Sequence, residues 1–247
     1  MNAAVGRVAV VTGAARGLGA ATVRALCAQG YGVVAVDRRD GPASLPDTVI
    51  PVVVDVRDRD GLAAAAALAV ESFGRLDVAV AAAAVIAGGQ PLWETPKSQL
   101  HRLLDIDLVG VWNTAAVSVP LMLAGPAPTG CRFVAIASSA GRHGLFGLAA
   151  YNAAKHGVIG LVRGLAADLV GTGVTAVAVS PGSTRTDMLA DTARLYGMDD
   201  VEGFAESALI RRLLEPDEVA ATIAFCCSVD AAALNGSVVS ADGGFRP

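Results

Sequence analysis

Arg7-Val8-Ala9-Val10-Val11-Thr12-Gly13-Ala14-Ala15-Arg16-Gly17-Leu18-Gly19 decides the fold. Val8 to Val11 form an unbroken apolar run, as in a strand buried on both faces of a parallel sheet. Glycines at 13, 17 and 19 follow directly, and Gly17 to Gln29 then reads as a helix. That context, a strand before the glycines and a helix after them, is what makes such a motif a nucleotide site. Gly13 permits a tight turn. Gly17 and Gly19 let the backbone approach a pyrophosphate and let the helix pack on the sheet, while the helix N-terminus attracts phosphate charge. On this stretch alone a strand–helix turn without ligand is the competing reading.

The same alternation extends outward. Gly32–Asp37, Val49–Val54 and Leu76–Ala82 read as further strands, with a helix over Asp58–Phe73 between the last two. Thr95 is placed to cap a helix with Pro96 at its first position, running to about Leu123 before Gly125-Pro126 stops it. Cys131–Ser138 is a strand, Ala150–Val170 a helix and Val174–Val179 a strand. Pro216-Asp217-Glu218 opens another helix with acids suited to its dipole, and Ser237–Ala241 is a last short strand. Strand–helix–strand alternation of this kind predicts an α/β, doubly wound parallel sheet in three layers, α/β/α. No Pro/Gly/Ser-rich linker interrupts residues 1–247, which read as one domain.

Composition narrows the function. The 247 residues are 53% hydrophobic but only 4% aromatic, so closely packed small side chains must fill the core. A net charge of −4 without a basic run argues against nucleic acid and anionic membrane as partners. Uncharged apolar runs such as Val78 to Ala87 fall short of the ~18 residues of a bilayer span, and the first residues do not read as a secretory signal. Cys27, Cys131, Cys226 and Cys227 lack metal-ligand spacing. They read as reduced thiols of a cytoplasmic protein, with no metal.

Asp37 ends the second strand. A carboxylate there accepts hydrogen bonds from a ribose 2′-hydroxyl and repels a 2′-phosphate, which favours NAD over NADP. Arg38 and Arg39 follow at once and would pair with a 2′-phosphate if they faced the site. Asp55 ends the next strand and is a candidate for the adenine edge, or for a helix cap.

Tyr151 and Lys155 supply the chemistry. Four residues apart on a helix, they share one face. An ammonium beside a phenol lowers the phenol's pKa from its ordinary value near 10. Tyr151 can then act as base towards an alcohol or as acid towards a carbonyl. Ser138 would hold the substrate oxygen and stabilise developing charge. With three tyrosines and two lysines in the chain, a chance Tyr-x-x-x-Lys has a probability of roughly 0.02, so a plain surface helix pair is the weaker reading. Glycine turn, phenol, ammonium and hydroxyl together point to hydride transfer on a nicotinamide cofactor.

Over essentially its whole length the chain resembles the short-chain dehydrogenase/reductase family. The matching pieces are Thr12-Gly13-x-x-x-Gly17-x-Gly19, Asp37, Asp55, Ser138, Tyr151-x-x-x-Lys155 and Pro181-Gly182-x-x-x-Thr186. The resemblance implies a Rossmann-type sheet of about seven strands with Tyr151 as catalytic acid/base. It implies that Lys155 also binds the nicotinamide ribose, that the backbone after Pro181-Gly182, with Thr186, orients the carboxamide, and that Thr184 belongs to the cofactor site. Arg16, Leu18, Val56 and Ala82 join the glycines, Asp37 and Asp55 in the implied cofactor site. It also implies a homotetramer or homodimer, with the helix from Thr95 and the helix carrying Tyr151 at the interface.

Two departures stand out. Relatives usually have Asn-Asn-Ala-Gly after the fourth strand, where this chain has Ala81-Ala82-Ala83-Ala84. The side-chain hydrogen bonds that steady the central sheet in relatives are therefore expected to be missing. The family's active-site asparagine, which supports a water relay to the lysine, aligns with Asp107. An ionised carboxylate there would favour charged Lys155. These departures, with Val80–Gly89 and Leu161–Leu169, resemble the mycofactocin-associated branch of the family. Members of that branch pass electrons from tightly held NAD(H) to a peptide-derived redox carrier. The connection Arg38 to Thr48 is short for the insertion associated with such retention.

A substrate wall is expected after Ser138, from His143, Leu145 and Phe146. A mobile lid is expected over 187–210, carrying Met188, Leu189, Leu195, Tyr196, Met198 and Phe204. The substrate reads as a hydrophobic secondary alcohol or ketone. An NADPH-dependent carbonyl reductase, supported by Arg38 and Arg39, and a non-catalytic nucleotide-binding scaffold or redox sensor are the alternatives.

Overall fold

The computed structural model describes residues 5–41 and 45–246. Seven strands form one sheet: β1 Arg7–Thr12, β2 Tyr31–Asp37, β3 Val49–Val53, β4 Val78–Ala81, β5 Arg132–Ile136, β6 Thr175–Pro181 and β7 Val238–Ala241. Their spatial order is β3-β2-β1-β4-β5-β6-β7, and every pairing is parallel. The chain runs outward from β1 in one direction, then returns to place β4 on the other side of β1. This reversal opens a crevice at the carboxyl ends of β1 and β4, where ligands bind in open α/β sheets.

Alternate residues of each strand feed two cores, as the unbroken apolar runs predict. Val8, Val10, Val34 and Val36 pack under helices α2 (Arg59–Phe73), α4 (Gly110–Ala124) and α5 (Ala149–Asp168). Ala9, Val11 and Val33 pack with α1 (Gly17–Ala28) and α7 (Pro216–Cys227) on the opposite face. Asp58 caps α2 by accepting from the Gly61 N–H at 3.0 Å. A reciprocal pair of side-chain to backbone bonds between Glu215 and Glu218 caps α7.

One expected helix start is corrected. Thr95 does not cap: its hydroxyl donates to the Pro91 carbonyl at 3.1 Å. Pro96 stands at the cap position, and α3 begins at Lys97. A fixed φ and no N–H suit proline to a position just outside the first turn as well as to the first turn itself. From Lys97 to Ala124 the helix is continuous, through α3 (Lys97–Leu103), a π-helical turn (Leu104–Val109) and α4. Its 28 residues would suffice by length and composition to cross a bilayer. Here they pack on α2 and β4 and bury Asp107 and Asn113, as a core helix does.

The four cysteines are free thiols, with Cys131, Cys226 and Cys227 buried. Burial pushes the thiols of Cys131 and Cys226 up to about 11. Such groups stay protonated and inert at neutral pH. Among the described residues no cluster of His, Cys, Asp or Glu could hold a metal.

Candidate active site

The crevice is a single cleft of about 540 Å³. Its nucleotide end is built by the turn between β1 and α1. Gly13 has φ of +69°, and a Cβ there would lie 2.7 Å from Ala83 Cα. At Gly19 a Cβ would come within 2.0 Å of the Gly13 carbonyl oxygen. Any side chain at either position would push the turn off the sheet and close the approach to the α1 N-terminus. Gly17 and Leu18 complete this wall.

Asp37 stands at the mouth, at the end of β2. Its carboxylate accepts from the Ala15 and Arg39 N–H groups, each at 3.0 Å. Four lone-pair sites leave it capacity for a ribose hydroxyl. Arg38 and Arg39 also reach the cleft wall. Arg16 is placed differently from a simple phosphate contact: its guanidinium pairs with Asp187 of the segment after β6 at 3.0 Å. Asp55 is not a helix cap. It takes a bidentate pair from Arg57, at 2.8 and 2.9 Å, which holds its carboxyl low, at about 2. Val56 beside it lines the cleft, and its carbonyl accepts from Asn113 Nδ2 at 3.0 Å.

The missing asparagines after β4 have a replacement. Thr12 Oγ1, buried at the end of β1, accepts from the Ala82 and Ala83 N–H groups at 3.2 and 3.4 Å. A side chain on the neighbouring strand thus ties down the tetra-alanine, and Ala82 takes its place in the cleft wall. Asn113, and the bond from Thr12 to the backbone after β4, escaped the sequence reading. A lone amide inside an apolar helix was the available signal for Asn113; Thr12 gave none beyond ending a strand.

The chemical end lies where β5 and β6 stop. Tyr151 and Lys155 sit in the first two turns of α5, 7% and 2% exposed. The Lys155 ammonium lies 5.6 Å from the Tyr151 ring centroid. Ser138 follows β5, accepts from the Ala140 N–H at 3.1 Å and lies close enough to the Tyr151 phenol to lower its pKa. The Tyr151 pKa is nevertheless raised. Burial penalises the phenolate most, Lys155 lowers it, Asp107 raises it, and Ser138 lowers it least. The expected net lowering by Lys155 is therefore not what the protein alone achieves. Proximity of an ammonium competes with near-complete loss of water, and water loss wins.

Asp107 does not reach the cleft. It lies behind Lys155, fully buried, on the π-helical turn. Such turns are frequent at functional sites because they re-aim one residue of a helix. Oδ1 accepts from the Val85 N–H at 2.9 Å. Oδ2 makes no hydrogen bond of good geometry, and its cation is Lys155 Nζ at 3.5 Å. Lys155 Nζ also donates to the Ile136 carbonyl at 3.1 Å. Burial raises the Asp107 carboxyl above the usual carboxylate range, with Lys155 the main opposing influence. Asp107 therefore contacts Lys155 from behind and does not line the cleft.

Pro181, Gly182, Thr184 and Thr186 close the cleft from the β6 side. Thr184 Oγ1 donates to the Gly182 carbonyl at 3.0 Å. Thr186 caps α6 (Asp187–Leu195) by accepting from the Leu189 N–H at 3.4 Å, and donates to the Thr184 carbonyl at 3.2 Å. The family model described as enoyl-(acyl carrier protein) reductase matches residues 13–246, spanning this whole arrangement. The chain belongs to the short-chain dehydrogenase/reductase family.

Its relatives within that family cover it nearly end to end. A cis-4-hydroxycyclohexanecarboxylate dehydrogenase of Sinomonas cyclohexanicum is 37% identical over 248 residues, 97% of this chain and 96% of the relative. A short-chain type dehydrogenase/reductase of Sinorhizobium fredii is 35% identical over 245 residues, and this chain spans 44% of that protein's length. The structure of carveol dehydrogenase from Mycobacterium avium in complex with NAD matches with a TM-score of 0.88 at 28% identity, covering 99% of both chains.

In this short-chain dehydrogenase/reductase the end of the cleft beyond Tyr151 has three walls. Leu145 and Phe146 come from the loop after Ser138, and Met188, Leu189, Tyr196 and Phe204 from the segment after Thr186. Leu195 packs beside them in a small buried cluster, and Met198 and His143 do not line the cleft. The third wall is Phe245, which the sequence reading did not foresee. The sequence around it, Gly243-Gly244-Phe245, reads only as a turn.

Proposed function

We propose that the protein interconverts an apolar secondary alcohol and its ketone with NAD as the hydride partner. The observation that carries this reading is the unbroken cleft from the Asp37 carboxylate to the Tyr151 phenol. Both relatives are named for alcohols on six-membered rings, which supports the alcohol chemistry, and the carveol name alone supports an apolar substrate. When bound, the nicotinamide takes or gives the hydride.

The chain's own residues handle the proton. Tyr151 takes it from the substrate hydroxyl in oxidation and returns it to the carbonyl oxygen in reduction. Ser138 lies beside the phenol and hydrogen-bonds the same oxygen as charge shifts onto it. Lys155, held by Asp107 and the Ile136 carbonyl, stabilises the phenolate that oxidation requires. Burial keeps Tyr151 protonated in its resting state, so oxidation gains rate as pH rises while reduction uses the phenol directly.

The residues present suit NAD. Asp37 presents an anionic acceptor at the end of β2, and the glycine turn leaves open the N-terminus of α1. Residues 38–48 connect β2 to β3 in eleven residues, which supports NAD that exchanges with solvent over NAD retained for a mycofactocin-type carrier. Arg38 and Arg39 on the cleft wall support a second reading, an NADPH-dependent carbonyl reductase. Exposed Val109, Trp112 and Leu123 on the long helix, with exposed Gly160 and Gly164 on α5, support assembly into a homodimer or homotetramer through those helices.

Titration of the protein with NADH and NADPH by fluorescence separates the two cofactor readings. NADH is expected to bind more tightly. Asp37→Ser is expected to weaken NADH by about tenfold or more, the value of one charge-assisted hydrogen bond, and to improve NADPH. Tighter binding of NADPH by the parent protein would instead establish the reductase reading and make Arg38 the discriminating residue.

A further inference from the structure

The charged side chains on the cleft wall are unevenly distributed. Arg16, Asp37, Arg38, Arg39 and Asp55 belong to the nucleotide end, and Lys155 is committed to Asp107 and Ile136. Asp187 is paired with Arg16. The substrate end is formed by Ile86, Leu145, Met188, Tyr196, Phe204 and Phe245. Two hydroxyls there are already spent as donors on backbone carbonyls: Tyr196 on Phe146 at 2.6 Å and Thr192 on Met188 at 2.8 Å. Among the described residues, no free cation faces this end.

Phe245 is held there by the backbone. Leu209 and Ile210 donate to the Gly244 and Gly243 carbonyls at 3.1 and 3.2 Å, and Arg246 donates to the Ser207 carbonyl at 2.8 Å. Ala208 and Phe245 form an antiparallel bridge. The segment after β7 is thus stitched to the segment after α6, and its one aromatic ring turns into the cleft. Behind it, His143 packs on the ring with centroids 5.7 Å apart. Phe245 is the member of this pair that lines the cleft.

We infer that the substrate is an uncharged apolar alcohol or ketone, that carboxylate-bearing analogues are excluded, and that Phe245 sets this choice. The inference rests on the alcohol dehydrogenase reading above and separates this chain from the relative named for a hydroxycyclohexanecarboxylate. A carboxylate entering this end would meet no cation among the described residues, with the Ser207 hydroxyl the one free side-chain donor beside it, whereas an apolar ring needs no partner. Phe245 can carry other side chains without loss of fold, because main-chain bonds and not its ring fix the segment.

Binding to the NADH-loaded protein, read by rapid mixing before NADH is consumed, tests this separately from turnover. The probes are 4-methylcyclohexanone and 4-oxocyclohexanecarboxylate, read by the change in nucleotide fluorescence, and the parent is compared with Phe245→Arg and Phe245→Leu. The parent is expected to favour the neutral ketone by at least about 100-fold, because burying a charge without a counter-ion costs far more than burying a neutral ring. Phe245→Arg is expected to cut that ratio by about tenfold or more through tighter binding of the carboxylate, and Phe245→Leu to preserve it. Equal binding of the two ketones to the parent, an unchanged ratio in Phe245→Arg, or binding of neither ketone would overturn the inference. If the neutral ketone binds selectively but no hydride is transferred, the pocket assignment stands and the alcohol dehydrogenase reading fails.

Discussion

Tyr151→Phe lowers the rate of alcohol oxidation by about a thousandfold and leaves affinity for NADH unchanged. The substitution removes one oxygen and nothing else from a buried ring, so the cleft, the glycine turn and the Lys155–Asp107 pair all persist. What disappears is the group that receives the hydroxyl proton, and a positioned acid or base contributes about 10²- to 10⁴-fold. The pH dependence sharpens the test. In the parent, burial holds the phenol above its ordinary value, so the fraction of phenolate, and with it the oxidation rate, climbs with pH. Tyr151→Phe is expected to lose that climb. Steady-state rates across pH, with NADH titration as the control for folding, give the result directly. A variant that retains most of its activity would remove Tyr151 from the mechanism and favour a nucleotide-binding scaffold.

Lys155→Met destabilises the protein by about 3 kcal/mol at neutral pH as well as abolishing turnover, because it leaves a fully buried carboxylate without its cation. The sign with pH follows from Asp107. Its folded-state pKa already lies above the unfolded value, since burial outweighs Lys155. Removing Lys155 removes the main lowering influence and carries it higher. A carboxyl that holds its proton more firmly when folded costs nothing in acid below the unfolded value, and its cost grows as pH rises above that value. The penalty of Lys155→Met is therefore expected to be small near the ordinary carboxylate pKa and to increase towards pH 8. The double variant Lys155→Met/Asp107→Asn, which removes both charges, is expected to recover most of the stability and none of the activity. Denaturant midpoints across pH distinguish this from a merely packed lysine, for which the penalty would not vary with pH and the second substitution would restore nothing.

Much of this was legible in the residues because local chemistry and global structure agree. The strand over Arg7–Thr12, the glycine turn and the i, i+4 pairing of Tyr151 with Lys155 each follow from periodicity or from a steric requirement that few residues satisfy. The start of the long helix was misread because Thr95 and Pro96 satisfy the local rules of a cap, while the Thr95 hydroxyl finds the Pro91 carbonyl instead. The π-helical turn carrying Asp107 has no local signature. It places a carboxyl behind a lysine 48 positions later, and only the packing of that helix on α5 decides it. Thr12 and Phe245 act through contacts with segments far along the chain, the backbone after β4 and the segment after α6, which no window of sequence displays. The Tyr151 pKa is the same kind of case: the neighbouring charge is visible in the sequence, and the loss of water that overrides it is not.

The most direct test of the central claim uses 4-methylcyclohexanol deuterated at its carbinol carbon, incubated with the protein and NAD. The nicotinamide is then examined by mass spectrometry. Transfer of one deuterium to the reduced nicotinamide, with the ketone as the other product and no transfer by Tyr151→Phe, is the predicted result. Deuterium appearing only when NADP replaces NAD, or remaining on the alcohol while NADH binds normally, would contradict the account.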